Sequence, residues 1–368
     1  METITIKKIK NLLAQQLNID VKTISFLNDK KFLKEQQRYL YTLIESHNGK
    51  PAVFVKIASP DMKKRLYREF LNWSLALELE ITDLKILFPY QNLNHDYAFY
   101  GREQIDMNKA IILASLQDIK NADPILGKHT GEFMASVASQ KIIPDTIDLS
   151  LVASRDYRNR SIGRFWKEWF MIKESIFLPE HKKNIEKYVN IKSFEKEINN
   201  AEPLFKEQIK IKEDEKNYYF VHNDTAPSNM YFIKNRNAGY TINLVDFEFS
   251  GATHNRFLAL VTDAGNIYGR LWPNPTMQKE FLKACVNGIN FSNNRNLLMR
   301  LMIIFNTIYF LNFYFKNPNI THERMIKSLL ENFFNNLEIV DKIENDKIEE
   351  KDMKDTEKIV LDPTESVS

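Results

Sequence analysis

The sequence is poor in cysteine and glycine. Its 368 residues include one cysteine, Cys285, and ten glycines. A single thiol excludes an internal disulfide framework and fits a reducing compartment. The charges nearly balance, with 51 Lys and Arg against 48 Asp and Glu, so the composition gives no strong field for nucleic acid or a membrane surface. We therefore expect a cytoplasmic protein without a nucleic-acid partner.

Apolar runs that could mark a leader or a membrane span are also few. Residues 1–8 lack the apolar block of a signal peptide. Residues 297–315 are long and apolar enough to suggest a span, but Arg300, Asn306 and Asn312 interrupt them. No paired flanking belt of basic and aromatic residues stands out. We expect a buried helix here and no membrane span.

The most informative pattern combines three β-prone runs with polar residues between them. The runs are residues 218–221, 230–233 and 242–245. Asp224 and Asn229 lie between the first two runs, and Asp246 follows the third. Phosphoryl transfer needs a carboxylate to orient or deprotonate the attacking hydroxyl. It also needs ligands for Mg²⁺, which an amide and a second carboxylate can supply. Asn- and Asp-rich turns beside a solvated strand are the structural alternative.

Two short motifs carry a family resemblance. His222-Asn-Asp224 and Asp246-Phe-Glu resemble the catalytic core of the protein-kinase-like fold, in the form found in the aminoglycoside phosphotransferase and choline kinase family. The resemblance implies that Asp224 is the catalytic base and that Asn229 and Asp246 are Mg²⁺ ligands. It also implies that His222 has a structural role. The cofactors implied by the resemblance are ATP and Mg²⁺.

The same resemblance implies an α+β fold with two lobes. Residues 1–105 would form a small N-terminal nucleotide-binding lobe built on an antiparallel sheet. Residues 106–340 would form a large, mainly helical C-terminal lobe that holds the catalytic loop and binds the acceptor. A helical insertion at about 144–211 would shape the acceptor pocket, or would simply pack its aromatic residues onto the core.

A lysine and a glutamate for the nucleotide are found in the predicted small lobe. Residues 39–45 and 51–57 are β-prone runs around an Asn-Gly turn signature, and Lys56 lies near the end of the second run. Apolar spacing predicts a helix over residues 65–80. Glu69, in its second turn, is the expected partner of Lys56, although a lysine that merely extends from a strand edge is common.

The expected phosphate-covering loop departs from the family pattern. Residues 27–38 contain no glycine, so no cradle of backbone amides is predicted there. Lys30, Lys31 and Lys34 could supply positive charge instead, or could form an ordinary solvated loop. From residue 341 to residue 368 the chain is rich in alternating Lys, Asp and Glu, which predicts a disordered charged tail.

The identity of the acceptor is the least determined point. Asp263 and Asn266 resemble the Asp-x-x-Asn pair that choline-kinase-like enzymes carry beside a cationic headgroup, so Asp263 could bind the acceptor's amine or could brace the catalytic loop. Amino alcohols, sugars, aminoglycoside antibiotics and amino acids such as homoserine all remain candidate acceptors. We expect an ATP-dependent phosphotransferase that acts on a hydroxyl of a small molecule. The alternatives are a protein kinase, disfavoured because no Ala-Pro-Glu segment follows residues 246–248, and a catalytically inactive, binding-only relative.

Overall fold

The computed structural model describes residues 6–28, 39–44, 52–93, 96–142, 162–210, 218–235, 239–253, 255–289 and 295–360. Within these ranges the chain forms a small sheet-based lobe followed by a larger helical lobe. The loop 29–38, including Lys30, Lys31 and Lys34, and the turn at 45–51 lie outside the described residues. The α+β class and the two-lobe organisation agree with the sequence prediction.

The small lobe is a five-stranded antiparallel sheet with two helices. The strand order is β1-β2-β3-β5-β4. One face packs on the first helix, and the other face packs on the second helix. The elements are α1 (Ile6–Leu17), β1 (Ile24–Phe26), β2 (Tyr39–Ile44), β3 (Val53–Ala58), α2 (Lys63–Glu78), β4 (Ile86–Asn92) and β5 (Ala98–Glu103).

Alternation along β3 decides where Lys56 points. Val53, Val55 and Ile57 belong to the apolar cluster on the α1 side of the sheet. Successive side chains of a strand point to opposite faces, so Lys56 lies on the face that carries α2. The position of the lysine therefore follows directly from the apolar pattern of the strand.

The large lobe contains two short antiparallel sheets surrounded by helices. The sheet orders are β10-β9-β6 and β11-β8-β7. The strands are β6 (Ala110–Ile112), β7 (Lys141–Ile142), β8 (Tyr218–Val221), β9 (Met230–Lys234), β10 (Tyr240–Leu244) and β11 (Gly251–Thr253). The helices are α3 (Leu116–Asn121), α4 (Ile125–Ser139), α5 (Ile162–Ile176), α6 (Pro179–Ile185), α7 (Ile191–Lys210), α8 (Arg256–Arg270), α9 (Pro275–Gly288), α10 (Arg295–Lys316) and α11 (Ile320–Val360).

The apolar helix α10 is a core element of the large lobe. It is long and apolar enough to cross a membrane, yet 72 % of an apolar 18-residue stretch of this helix is buried inside the protein. Asn306, which interrupts the run, is also buried, and its amide donates to the carbonyl oxygens of Val261 and Met302. The prediction of a buried helix is therefore confirmed.

The insertion is helical in its described part, as the resemblance implied, and the C-terminal segment is also helical. Helices α5, α6 and α7 cover the described part of the insertion, and Trp169 packs against Phe205 and Phe305. A disordered tail is predicted from residue 341, whereas in the structure α11 continues to Val360. Lys342 pairs with Glu338 one turn earlier in this helix at 2.7 Å, the kind of spacing that stabilises a charged helix.

Candidate functional site

Lys56 and Glu69 form a buried ion pair. Lys56 Nζ lies 2.6 Å from Glu69 Oε2, and both residues are buried. The hydroxyl of Tyr100, on the neighbouring strand β5, donates to Glu69 Oε1 at 2.7 Å. The helix α2 is thereby fixed to the sheet, and the predicted pairing of Lys56 with Glu69 is found as a direct contact.

Two further carboxylates lie close to the same lysine. Asp246 Oδ1 and Glu248 Oε2 are each 3.8 Å from Lys56 Nζ. Burial by itself lowers the pKa of Lys56, but the charges of Glu69 and Asp246 outweigh it and raise that pKa above its ordinary value. Lys56 is therefore a permanent cation at physiological pH, which is the state that can bind phosphate oxygens.

Glu248 connects this cluster to the start of α2. It forms an ion pair with Arg65 and accepts a hydrogen bond from the Tyr39 hydroxyl at 3.3 Å. The ring of Tyr39 covers Lys56, with Nζ 4.1 Å from the ring centroid. The lysine is consequently enclosed by an aromatic ring and by carboxylates on the side that faces the large lobe.

A buried asparagine ties α2 to the segment that carries Asp246. The amide of Asn72 donates to the carbonyl oxygens of Phe247 and Ser250 at 3.1 and 2.8 Å. Trp73, the next residue, meets the Phe247 ring edge-on with centroids 4.8 Å apart. These contacts fix the position of the Asp246 segment relative to Glu69.

The loop that follows β8 holds an unusual backbone conformation. Asn223 has a φ of 71°, in the left-handed region that asparagine tolerates better than most residues. Its side chain donates to the carbonyl oxygen of Phe249 at 3.0 Å. His222, the preceding residue, is fully buried, and its Nε2 lies 2.9 Å from the carbonyl oxygen of Val245. Burial lowers the pKa of His222 to about 4, so its ring is neutral at physiological pH.

Asp263 braces this loop from inside the lobe. Its carboxylate accepts the backbone N–H groups of His222 and Asn223 at 2.7 and 2.8 Å, and the Thr225 hydroxyl donates to its carbonyl oxygen at 2.8 Å. Asp263 is only 3 % exposed. Acceptor binding by Asp263 is therefore corrected in favour of the bracing alternative, because both carboxylate oxygens already serve the loop.

Asn229 and Asp246 come together through strand pairing. The strands β9 and β10 are antiparallel neighbours, and the Val245 N–H donates to the carbonyl oxygen of Asn229 at 3.0 Å. The side-chain amide nitrogen of Asn229 donates to the carbonyl oxygen of Asp224 at 2.9 Å, so its amide oxygen is the atom suited to a cation. Asp246 has a φ of 65° and a side chain that is 41 % exposed.

This donor set fits Mg²⁺, which prefers oxygen ligands and keeps several waters. Carboxylate oxygens of Glu69, Asp246 and Glu248 lie within 4.8 Å of one another. Glu69 is already used by Lys56 and Tyr100, and Glu248 by Arg65 and Tyr39. Asp246 is therefore the carboxylate best placed to share a cation with Asn229.

A cavity of about 300 Å³ opens beside Asp224. Asp224 is half-buried at its edge, and burial raises the pKa of its carboxyl, while the nearby charge of Arg270 acts in the opposite direction. The cavity is bounded by α5, α8 and α10 as well as by the loop that follows β8. The described residues that line it are Glu168, Val221, Asn223, Asp224, Thr253, Leu258, Val261, Thr262, Asn266, Arg270, Phe305, Asn306 and Tyr309.

Comparison with known proteins gives a result at the level of the fold. No model of a protein family matches the sequence, and no curated protein matches it. Among solved structures, an aminoglycoside phosphotransferase from Alicyclobacillus acidocaldarius is 12 % identical, with a TM-score of 0.52 over 84 % of this chain and 90 % of that one. The chain has the protein-kinase-like fold of the aminoglycoside phosphotransferases.

Two other solved structures resemble it less closely in overall superposition. An ethanolamine kinase from Plasmodium vivax is 15 % identical, with a TM-score of 0.46 over 90 % of this chain and 86 % of that one. A spectinomycin phosphotransferase in complex with ADP and spectinomycin is 14 % identical, with a TM-score of 0.43 over 84 % of this chain and 90 % of that one.

The phosphotransferase fold brings the sequence-predicted residues to two adjoining places. Lys56, Glu69 and Asp246 meet between β3, α2 and the end of β10, and Asn229 joins them through the pairing of β9 with β10. Asp224 lies at the edge of the cavity. Of the predicted site residues, Asp263 is the one that the structure moves to another role.

Sequence reasoning missed two charged residues near these places. Glu248 is part of the Asp-Phe-Glu motif, but its contact with Lys56 and Arg65 depends on how α2 packs on the large lobe. Arg270 could have been found from its spacing, since Thr262, Asn266 and Arg270 recur every four residues along α8 and all line the cavity. Tyr309 lies within residues 297–315, which were predicted to form a buried helix, yet it is 40 % exposed and also lines the cavity.

Proposed function

We propose that this protein is a small-molecule kinase that transfers the γ-phosphoryl group of ATP to a hydroxyl. The observation that carries the proposal is the cluster of Lys56, Glu69 and Asp246, with Lys56 Nζ 2.6 Å from one carboxylate and 3.8 Å from the other. A cation beside a partly exposed carboxylate is the arrangement that binds phosphates together with a metal. The shared fold supports the same function.

Each residue has a role in this reaction. Lys56 binds phosphate oxygens of the nucleotide, and Glu69 holds the lysine in place. Asp224 accepts the proton of the attacking hydroxyl as the new oxygen–phosphorus bond forms and the bond between the γ-phosphorus and the ADP oxygen breaks. Arg65 and Tyr39 hold Glu248 next to Lys56, and Asp263 holds the loop on which Asp224 lies.

Asn229 and Asp246 would hold Mg²⁺. When bound, the ion would neutralise part of the negative charge of the phosphates. The protein contributes the orientation of these two ligands, because the pairing of β9 with β10 sets the spacing between Asn229 and the end of β10.

Calorimetric titration with ATP tests this proposal. We expect wild-type protein to bind ATP more tightly with Mg²⁺ than with EDTA, and Asp246→Asn to lose this difference. Asp106→Asn makes the same change at an exposed carboxylate and should behave like wild type. If ATP binds equally well with and without Mg²⁺, or does not bind, the proposed nucleotide site is wrong.

A binding-only protein is the second candidate, and the covering of Lys56 is the observation that favours it. Lys56 is only 5 % exposed, and the Tyr39 ring lies over it. Nucleotide phosphates can reach the ammonium group only if this ring moves. ATP binding without any release of ADP in the presence of a broad acceptor panel would favour this second function.

A further inference from the structure

The cavity beside Asp224 contains an arginine whose charge is not neutralised by an ion pair. Arg270 lines the cavity in the last turn of α8. Within the described parts of the chain it makes no hydrogen bond and no ion pair. Its charge acts through space on the carboxyl of Asp224 and on the hydroxyl of Tyr314. A half-buried guanidinium without a partner has donor capacity left for a ligand.

Three other arginines of the described residues are held by contacts within the protein. Arg65 pairs with Glu248, and Arg300 pairs with both Glu197 and Asp341. Arg102 stacks over the rings of Phe54 and Trp73 and donates to a backbone carbonyl. These contacts explain those side chains within the protein itself. Arg270 differs from these three in that it lines a cavity and, among the described residues, has no such contact.

Arg270 belongs to a polar stripe on one face of α8. Thr262, Asn266 and Arg270 follow one another at intervals of four residues, and all three line the cavity. Residues four apart lie on the same helical face. The stripe therefore lines the pocket with a hydroxyl, an amide and a guanidinium in sequence, starting close to Asp263 and ending at the helix terminus.

The cavity is separate from the nucleotide cluster. Lys56, Glu69, Asn229 and Asp246 are not among its described lining residues, whereas Asp224 is. A group bound in the cavity therefore meets the catalytic base and Arg270 without meeting Lys56. The volume of about 300 Å³ is at the lower end of small-molecule sites, which suits an acceptor of one ring or smaller.

We propose that the acceptor is a small hydroxylated molecule with an anionic oxygen group, a carboxylate or a phosphate, that binds Arg270. Guanidinium groups bind both kinds of anion through paired N–H donors. Asp224 is a carboxylate and would repel an anion, and in the proposed reaction it faces the hydroxyl. The inference rests on the proposed function for the reaction, but the recognition of the anion is a property of the cavity that can be measured by binding alone.

A matched ligand series tests the inference. In the presence of Mg²⁺ and ADP, calorimetry would compare glucuronate and glucose 6-phosphate with glucose and glucosamine. A second series would compare glycerate and glycerol 3-phosphate with glycerol and ethanolamine. We expect an anionic member to bind at least about 10-fold more tightly than its neutral analogue, since hydrogen bonds to charged groups contribute this much. The carboxylate and phosphate arms identify which anion is preferred.

Arg270→Gln should remove this preference, with a loss of about 10- to 100-fold in affinity for the anionic member. It should leave the affinity for ADP and for neutral members unchanged. Arg324→Gln, which removes an exposed arginine from α11, should keep the wild-type preference. A merely structural Arg270, acting on the C-terminal end of α8, would change thermal stability without changing selectivity.

The possible results distinguish the anion site from the proposed kinase reaction. Preference for neutral or cationic members, no binding by any anionic member, or an Arg270→Gln variant that weakens ADP binding instead would overturn the inference. Release of ADP from ATP in a parallel assay tests the kinase function independently. An anionic ligand that binds through Arg270 without ADP release would support the anion site and contradict the proposed reaction.

Discussion

Replacing Asp263 by asparagine should destabilise the protein by about 3 kcal/mol. The carboxylate is 3 % exposed and accepts the N–H groups of His222 and Asn223 at 2.7 and 2.8 Å. The asparagine amide has one oxygen and one NH₂ group, so one backbone N–H would face another donor. A hydrogen bond to a charged group contributes about 1.5–3 kcal/mol, and a buried N–H without an acceptor costs about 1–3 kcal/mol. The two effects overlap, which gives the value above.

Equilibrium unfolding in urea, followed by fluorescence and by circular dichroism, would measure this loss for Asp263→Asn. Asp106→Asn serves as the control, and we expect it to change stability by less than about 0.5 kcal/mol because the side chain is exposed. The turnover of the variant should also fall, since Asp224 lies on the same loop. A variant as stable as wild type, whose only defect is weaker acceptor binding, would refute the bracing role and restore the acceptor-binding role of Asp263.

Three further predictions follow from buried groups. Lys56→Met leaves the Glu69 carboxylate, which is 2 % exposed, without its cation, and should lower the free energy of unfolding by about 3–5 kcal/mol. Adding Glu69→Gln should restore much of this stability in urea unfolding. A double variant no more stable than the single one would contradict the ion-pair account. The pKa of His222 is lowered from 6.5 to about 4, so between these pH values the unfolded chain binds a proton that the folded protein does not. The free energy of unfolding should therefore fall by about 3 kcal/mol as the pH drops from 6.5 to 4. His222→Gln should weaken this pH dependence, and equal slopes of stability against pH in the two proteins would contradict the explanation. Gly265→Ala would place a Cβ 1.9 Å from a side-chain amide of α10 and should destabilise the protein by about 1–3 kcal/mol. Gly239→Ala meets nothing closer than 4.0 Å and should leave the melting temperature close to that of wild type. Equal melting temperatures for the two variants would contradict the tight packing of α8 on α10.

The elements that carry the site could be predicted because their apolar patterns are regular. Alternation in β3 placed Lys56 on the face of the sheet opposite Val55, and the helical spacing around Glu69 placed its carboxylate toward that face. The β-prone runs on either side of Asp224 and before Asp246 became paired strands. In each case a local pattern determined the direction of the side chain.

Other features depend on how distant elements pack and could not be read locally. Asp263 lies on a helix, and helical spacing allows it to face either the cavity or the catalytic loop. Its contact with the loop is set by the packing of α8 against β8. Glu248 meets Lys56 because Asn72 ties α2 to the segment after Asp246. The lobe-to-lobe contact, which no single motif encodes, determines that arrangement.

The charged C-terminal segment shows a limit of composition as a guide. Its many Lys and Glu residues suggested disorder, yet charged residues four apart also support a helix. The final helix begins within the core, where Leu329, Phe333 and Leu337 are buried, and Val340 extends that buried stripe. A helix already nucleated by packing adds further residues at little cost, which accounts for its continuation to Val360.

The most direct test of the central claim is ³¹P nuclear magnetic resonance of Mg²⁺-ATP mixed with the acceptor series, for the wild-type protein and for Asp224→Asn. The account predicts that the wild type forms a phosphate monoester and an equal amount of ADP. It predicts that Asp224→Asn binds ATP normally but forms the ester at least about 100-fold more slowly, as expected for loss of a general base. Ester formation at the same rate in both proteins, or none in the wild type, would contradict the account.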